Sequence, residues 1–200
     1  MSNLQKQLDT FKQIVIENCQ NKDFIFREFF VADHLVITER IAMELCDIYK
    51  EADRDLVLAL VWFHDYGKPL DIKNEEVITR EEGSRAMERA GLPAEFIGRV
   101  LEDWNRMEMK NEIDISKECI EVKIVSSADG AAHFAGKFFS TYFGDSREEC
   151  LEETVARIKK KIKQDWELKI VLPEVKKAFK QRYLMALEIV GEYPEKFLSL

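Results

Sequence analysis

Eight consecutive apolar residues, Leu56 to Phe63, run directly into His64-Asp65-Tyr66-Gly67-Lys68-Pro69. An apolar run of that length suits a strand buried on both faces or a helix buried all round, and periodicity alone does not separate the two. The rest of the chain decides. No other segment shows two-residue alternation bounded by turn residues, so the run has no partner strand. It reads as a central helix enclosed by other helices. Asp53 or Asp55 can cap its start. Gly67 is expected to end it through the left-handed backbone common just past a helix.

The surrounding segments carry helical spacing. Leu4, Leu8, Phe11, Ile14 and Val15 recur at three- and four-residue intervals, and a second helix is expected after Asn21-Lys22-Asp23. From His34 onward, Leu35, Ile37, Ile41, Leu45 and Ile48 form an apolar stripe, with Asp33 as the expected N-cap. After an acidic loop, a helix is expected up to Gly91, and Pro93 opens the next. A long core helix is expected from Ser116 to about Phe143, then helices from Ser146 to Gln164 and from Pro173 to about Tyr193. With 46% apolar residues, eight glycines and four prolines, the chain reads as all-α. No repeat or linker divides it, so residues 1–200 are expected to form one single-domain helical bundle.

Charge and cysteine usage exclude several classes. The net charge of −8 gives no broad field for a nucleic-acid backbone, so a large nucleic acid is not an expected partner. Cys19, Cys46, Cys119 and Cys150 are scattered, with no CxxC pair and no disulfide-like spacing. The N-terminal stretch has no apolar signal region, and no segment reaches 18 uninterrupted apolar residues. A cytoplasmic protein without membrane contact is expected; a homodimer is left open.

Only three histidines are present, His34, His64 and His133, the last four residues after Asp129. The ordered set in "ADHLV", "WFHDYGKP" and "SSADGAAH" resembles the HD-domain metal-dependent phosphohydrolase superfamily. The resemblance covers the chain to about residue 145, with a metal-site core of about 24–145 and residues 146–200 as helices packed on it. It implies that His34, His64, Asp65 and Asp129 hold one divalent ion. Two imidazoles and two carboxylates suit Mn, Mg, Fe, Co or Ni in a site that keeps positions open for water and substrate. Neighbouring side chains on a helix point about 100° apart, so His64 and Asp65 can converge only where the helix is ending. Asp65 and Asp129 can each bind metal or accept a proton, and the sequence does not divide those roles.

Lys68 is the first candidate for holding phosphate, with Arg80 and Arg85 behind it. His133 shares a helix face with Asp129 and can line the pocket or serve packing. The extra histidines of two-metal relatives are missing; Thr79, Arg80 and Asn105 stand at those places, which favours one ion over a di-iron oxidative centre. Glu75, Glu76, Glu81 and Glu82 are candidates for a general acid. The basic run at residues 157–163 reads as the solvated face of a helix whose Ile158 and Ile162 point inward, and the aromatic run from His133 to Phe143 as core packing. The expected function is hydrolysis of a small phosphorylated substrate such as a nucleotide, with Asp65 and Lys68 catalytic. The alternative is a non-catalytic nucleotide or metal sensor or scaffold.

Overall fold

The structure, a computed structural model, describes residues 2–144, 149–193 and 195–196. Among them there is no β-strand, and the chain is all-α. The helices are α1 (Asn3–Asn18), α2 (Val36–Ile48), α3 (Arg54–Phe63), α4 (Glu75–Ile78), α5 (Ser84–Arg89), α6 (Ala94–Glu108), α7 (Ile120–His133), α8 (Phe138–Gly144), α9 (Leu151–Gln164) and α10 (Pro173–Ile189). No helix among the described residues is long and apolar enough to cross a membrane.

The apolar run is the central helix α3, with α1, α2, α6 and α7 packed around it. All of its residues from Leu56 to Phe63 are buried except Leu58. Asp53, rather than Asp55, caps it by accepting the Leu56 N–H at 3.2 Å. One hydrophobic cluster extends from Leu8 in α1 to Val190 just past α10.

Among the described residues three wide π-helical turns interrupt the regular helices: Val31–Leu35 leading into α2, Thr79–Gly83 between α4 and α5, and Asp165–Lys169 after α9. Such turns rotate side chains out of the ordinary helical register and recur at functional sites.

Several expected boundaries move, each for a local reason. Asp33 lies inside the first π-turn, where its own N–H donates to the Phe29 carbonyl at 2.7 Å, so it is not an N-cap. The long helix expected from Ser116 to Phe143 is broken. Ser116 sits in a separate 3₁₀ turn, Ile115–Lys117, and α7 stops at His133 before Gly136 takes φ 62°, which a right-handed helix cannot continue. Ser146 lies outside the described residues, and α9 begins at Leu151. The last helix ends at Ile189 rather than near Tyr193.

Gly67 also departs from expectation, because its φ is not positive. Its requirement is space: a Cβ there would collide with the Glu75 carbonyl oxygen and lie 2.8 Å from Thr79 Oγ1. The Gly67 N–H donates to that same Oγ1 at 2.9 Å. Replacing Gly67 by alanine should therefore destabilise the protein by about 1–3 kcal/mol, as overpacking generally does. Gly98→Ala on α6, where a Cβ meets nothing within 4 Å, should instead add up to about 1 kcal/mol. Thermal unfolding of the two variants side by side checks this; equal midpoints would refute the tight approach.

Candidate metal centre

His34, His64, Asp65 and Asp129 meet at one point, carried there by three separate elements. The first π-turn turns His34 inward until it is 1% exposed. His64 is the C-terminal cap of α3 and Asp65 the next residue, so the ending helix frees both side chains to bend one way. Asp129 projects from the middle of α7. The turn after α3 is pinned by Trp104 Nε1, which donates to the His64 carbonyl at 3.2 Å, and by Asn21 Nδ2, which donates to the Pro69 carbonyl at 2.7 Å.

The four facing atoms form a closed ring. His34 Nε2 lies 3.2 Å from Asp65 Oδ2, which lies 3.4 Å from His64 Nε2; both imidazole nitrogens lie 3.7 Å from Asp129 Oδ1. Ligands about 2.1 Å from a shared ion stand roughly 3.0–3.4 Å apart in octahedral or tetrahedral arrangement, so the ring is only slightly wider than one that closes on a cation. Among the described residues two groups could hold an ion, His34 with His64 and Asp65, and His34 with Asp129 and His133; they share His34.

The hydrogen bonding of His64 tests the donor set. Its Nδ1 is 2.8 Å from the Val61 carbonyl and must donate there, which leaves the neutral ring a bare lone pair on Nε2. That buried atom has no hydrogen-bond partner and faces two carboxylate oxygens. Three acceptors pointing at one another require a cation between them, a proton or a metal. Burial opposes charge on the ring, but Asp65 and Asp129 outweigh it and push the His64 pKa up to about 10. His34 goes the other way, drawn below its ordinary value by burial.

Lysines complete the electrostatics. Lys68 Nζ sits 2.7 Å from Asp65 Oδ1, and Lys169 Nζ sits 2.6 Å from Asp129 Oδ2. Asp165, entirely buried, takes Lys161 at 2.8 Å on one oxygen and the His133 Nδ1–H at 2.8 Å on the other. The bare His133 Nε2 then faces Asp129 Oδ1 at 3.5 Å. Although burial resists it, these cations and imidazoles hold Asp65, Asp129 and Asp165 below the usual carboxylate range. Burial draws His133 down to about 3, so its ring is neutral.

Lys161, Asp165 and Lys169 were not expected in the site. Ile158 and Ile162 do point inward, but Lys161 does not lie on a solvated face. Its only signal in the sequence was the i, i+4 spacing from Lys161 to Asp165 to Lys169. Gly130 makes their approach possible, since a Cβ there would come within 3.1 Å of Ile170 Cγ1, Lys169 Cβ and the Asp165 carbonyl. Ser126 and Ser127 of α7 fasten the turn by donating to the Lys169 carbonyl.

Other candidates lie elsewhere. Arg80 donates to Asn105 Oδ1 at 2.6 Å and lies over the Trp104 ring, and Arg85 pairs with Glu82 on the surface. Thr79 and Asn105 are thus occupied by structural hydrogen bonds. Among the four glutamates considered, Glu75 alone lines the polar pocket of about 200 Å³ beside the ring, with Lys68, Lys161 and Lys169. Burial pushes its carboxyl up.

Asp165→Asn keeps the shape but leaves the partly exposed Lys161 without its counter-charge, and should cost about 1–3 kcal/mol. Because the folded carboxyl is held below its ordinary pKa of about 3.9, its contribution is complete above that pH and fades as pH falls toward the folded value. Chemical denaturation should show a gap between wild type and variant at pH 7 that narrows in acid.

A family model for the HD domain matches residues 31–132. No curated protein and no solved structure matches the chain. The matched segment spans half of the sequence and carries all four ring residues, whereas His133, Lys161, Asp165 and Lys169 fall beyond it. The chain belongs to the HD domain family.

Proposed function

We propose that the protein is a metal-dependent phosphohydrolase acting on a small phosphorylated substrate, with His34, His64, Asp65 and Asp129 as ligands of one divalent ion. The observation that carries this reading is the His64 ring, fixed by the Val61 carbonyl so that its Nε2 points at two carboxylates and a cation, proton or metal, is needed between them. A divalent ion held by these residues would lower the pKa of a water from about 15.7 toward neutrality and would offset charge on a phosphoryl oxygen. Mn, Mg, Fe, Co and Ni all suit the mixed nitrogen and oxygen donors.

Charge supports the same reading. With neutral imidazoles, the carboxylates of Asp65, Asp129 and Asp165 are offset by the ammonium groups of Lys68, Lys161 and Lys169. Adding a divalent ion leaves an excess of about two positive charges, which a phosphomonoester near neutral pH, at about −1.5 to −2, cancels. Lys68 and Lys169, each on the outer oxygen of a ring carboxylate, are placed to pair with phosphoryl oxygens, and Lys161 stands beside them. In hydrolysis the oxygen of water bonds to phosphorus, the ester P–O bond breaks, and the departing oxygen takes a proton. Glu75, its carboxyl raised by burial at the pocket wall, is the residue to deliver that proton.

Asp65→Asn tests the reading. The purified, folded variant should lose metal by elemental analysis and lose at least about 100-fold in turnover across a panel of phosphomonoesters and nucleotides with Mn, Co, Ni or Mg. Retention of both ion and activity would overturn it, and a wild type that binds metal but turns over nothing would favour a sensor. Ion uptake at pH 8 should also release about one proton from His64, whose pKa near 10 keeps it charged before loading. Calorimetry in buffers of different ionisation enthalpy reads that proton directly.

A further inference from the structure

The polar pocket of about 200 Å³ is too small for a whole ligand, since small-molecule sites run to about 300–1,000 Å³. It has room for a phosphate and little more. The organic part of a substrate must continue into adjoining space, and the structure provides it. A second cavity of about 430 Å³ shares Lys68, Glu75 and Lys161 with the polar pocket as a common wall.

The lining of this second cavity differs sharply. Phe26, Phe29, Phe30 and Phe138 form its rings, and Ile25 and Ile72 stand at its mouth, 58% and 43% exposed. Exposed apolar side chains grouped at the entrance of a concave site mark a place where apolar surface is meant to be covered. His133 and Arg157 also line it, the first with its Nδ1–H given to Asp165 and the second with its guanidinium paired to Glu149, and among the described residues lining it none carries an amide or hydroxyl side chain. Such groups are what a site uses to bind sugar hydroxyls or the edges of a nucleobase. Of the charged residues lining it, Lys68, Lys161 and Glu75 lie at the seam with the polar pocket, where a phosphate ester bond would sit, and Arg157, paired with Glu149, lies away from that seam.

We infer that the phenylalanine-lined cavity receives an apolar aryl or alkyl group, so that the substrate is a hydrophobic phosphomonoester rather than a sugar phosphate. This rests on the phosphohydrolase reading for its chemistry, but the cavity can be tested without turnover. Burying one ring, at about 25 cal/mol per Å² of apolar surface, favours the aryl ligand by at least about tenfold.

Two measurements on the Mn-loaded protein separate the possibilities. In calorimetry, benzylphosphonate, which cannot be hydrolysed, should bind at least about tenfold more tightly than methylphosphonate. In assays, benzyl phosphate should show at least about tenfold higher kcat/KM than glycerol 3-phosphate; both release primary alcohols, so the ratio reports the organic group. Ile72→Ser, at an exposed position that does not endanger folding, and Phe29→Ser should each bring the paired ligands several-fold closer to parity. Equal binding of the two phosphonates, or a preference that survives both substitutions, overturns the inference even if phosphatase activity is found. Tight, substitution-sensitive binding of benzylphosphonate with no turnover of either ester supports the cavity assignment and overturns the hydrolase reading instead.

Discussion

Three aspartates each divide their two oxygens between a lysine and an imidazole, and the centre is built on that division. Asp65 faces Lys68 on one side and His34 and His64 on the other; Asp129 faces Lys169 and the same two rings; Asp165 joins Lys161 to His133. A carboxylate buried alone is prohibitively costly, so each must be paired and hydrogen-bonded to stay ionised. The pairing also fixes direction. Because the lysine holds the outer oxygen, the inner one has no choice but to point at the rings, and four elements are tied to one another through side chains rather than through apolar contact alone.

The secondary structure deviates from regularity where this network needs it. A straight helix cannot aim His64 and Asp65 at one point, and the end of α3 can. A π-turn brings His34 in, another brings Asp165 and Lys169 in, and the third places Thr79 under the Gly67 N–H to hold the turn after α3. The dry wall made by α3 keeps these charges from being screened, which strengthens each pair and makes each missing partner costly.

Much of this was legible in the residues. The enclosed helix and its all-helical setting follow from apolar spacing, and the ordered His34, His64, Asp65 and Asp129 from the resemblance to the HD-domain family. What escaped was longer in range or smaller in scale. Lys161 and Lys169 look like solvated lysines until Gly130 and Ser127 on α7 let their turn dock, a tertiary contact with no periodic signature. Gly67 reads as a helix stop, but its role depends on the Glu75 carbonyl, eight residues away. The interruption at Gly136 was hidden because apolar residues continue on both sides of it.

The ammonium groups have one more consequence. Small metal domains whose ligands are otherwise uncompensated stay unfolded until an ion arrives. Here the lysines already supply the counter-charge that the aspartates need, so the carboxylates make no electrostatic demand for an ion during folding, and the proposed cation would bind as a separate step. Ion availability would then govern how many ready-made copies work, and not how many exist.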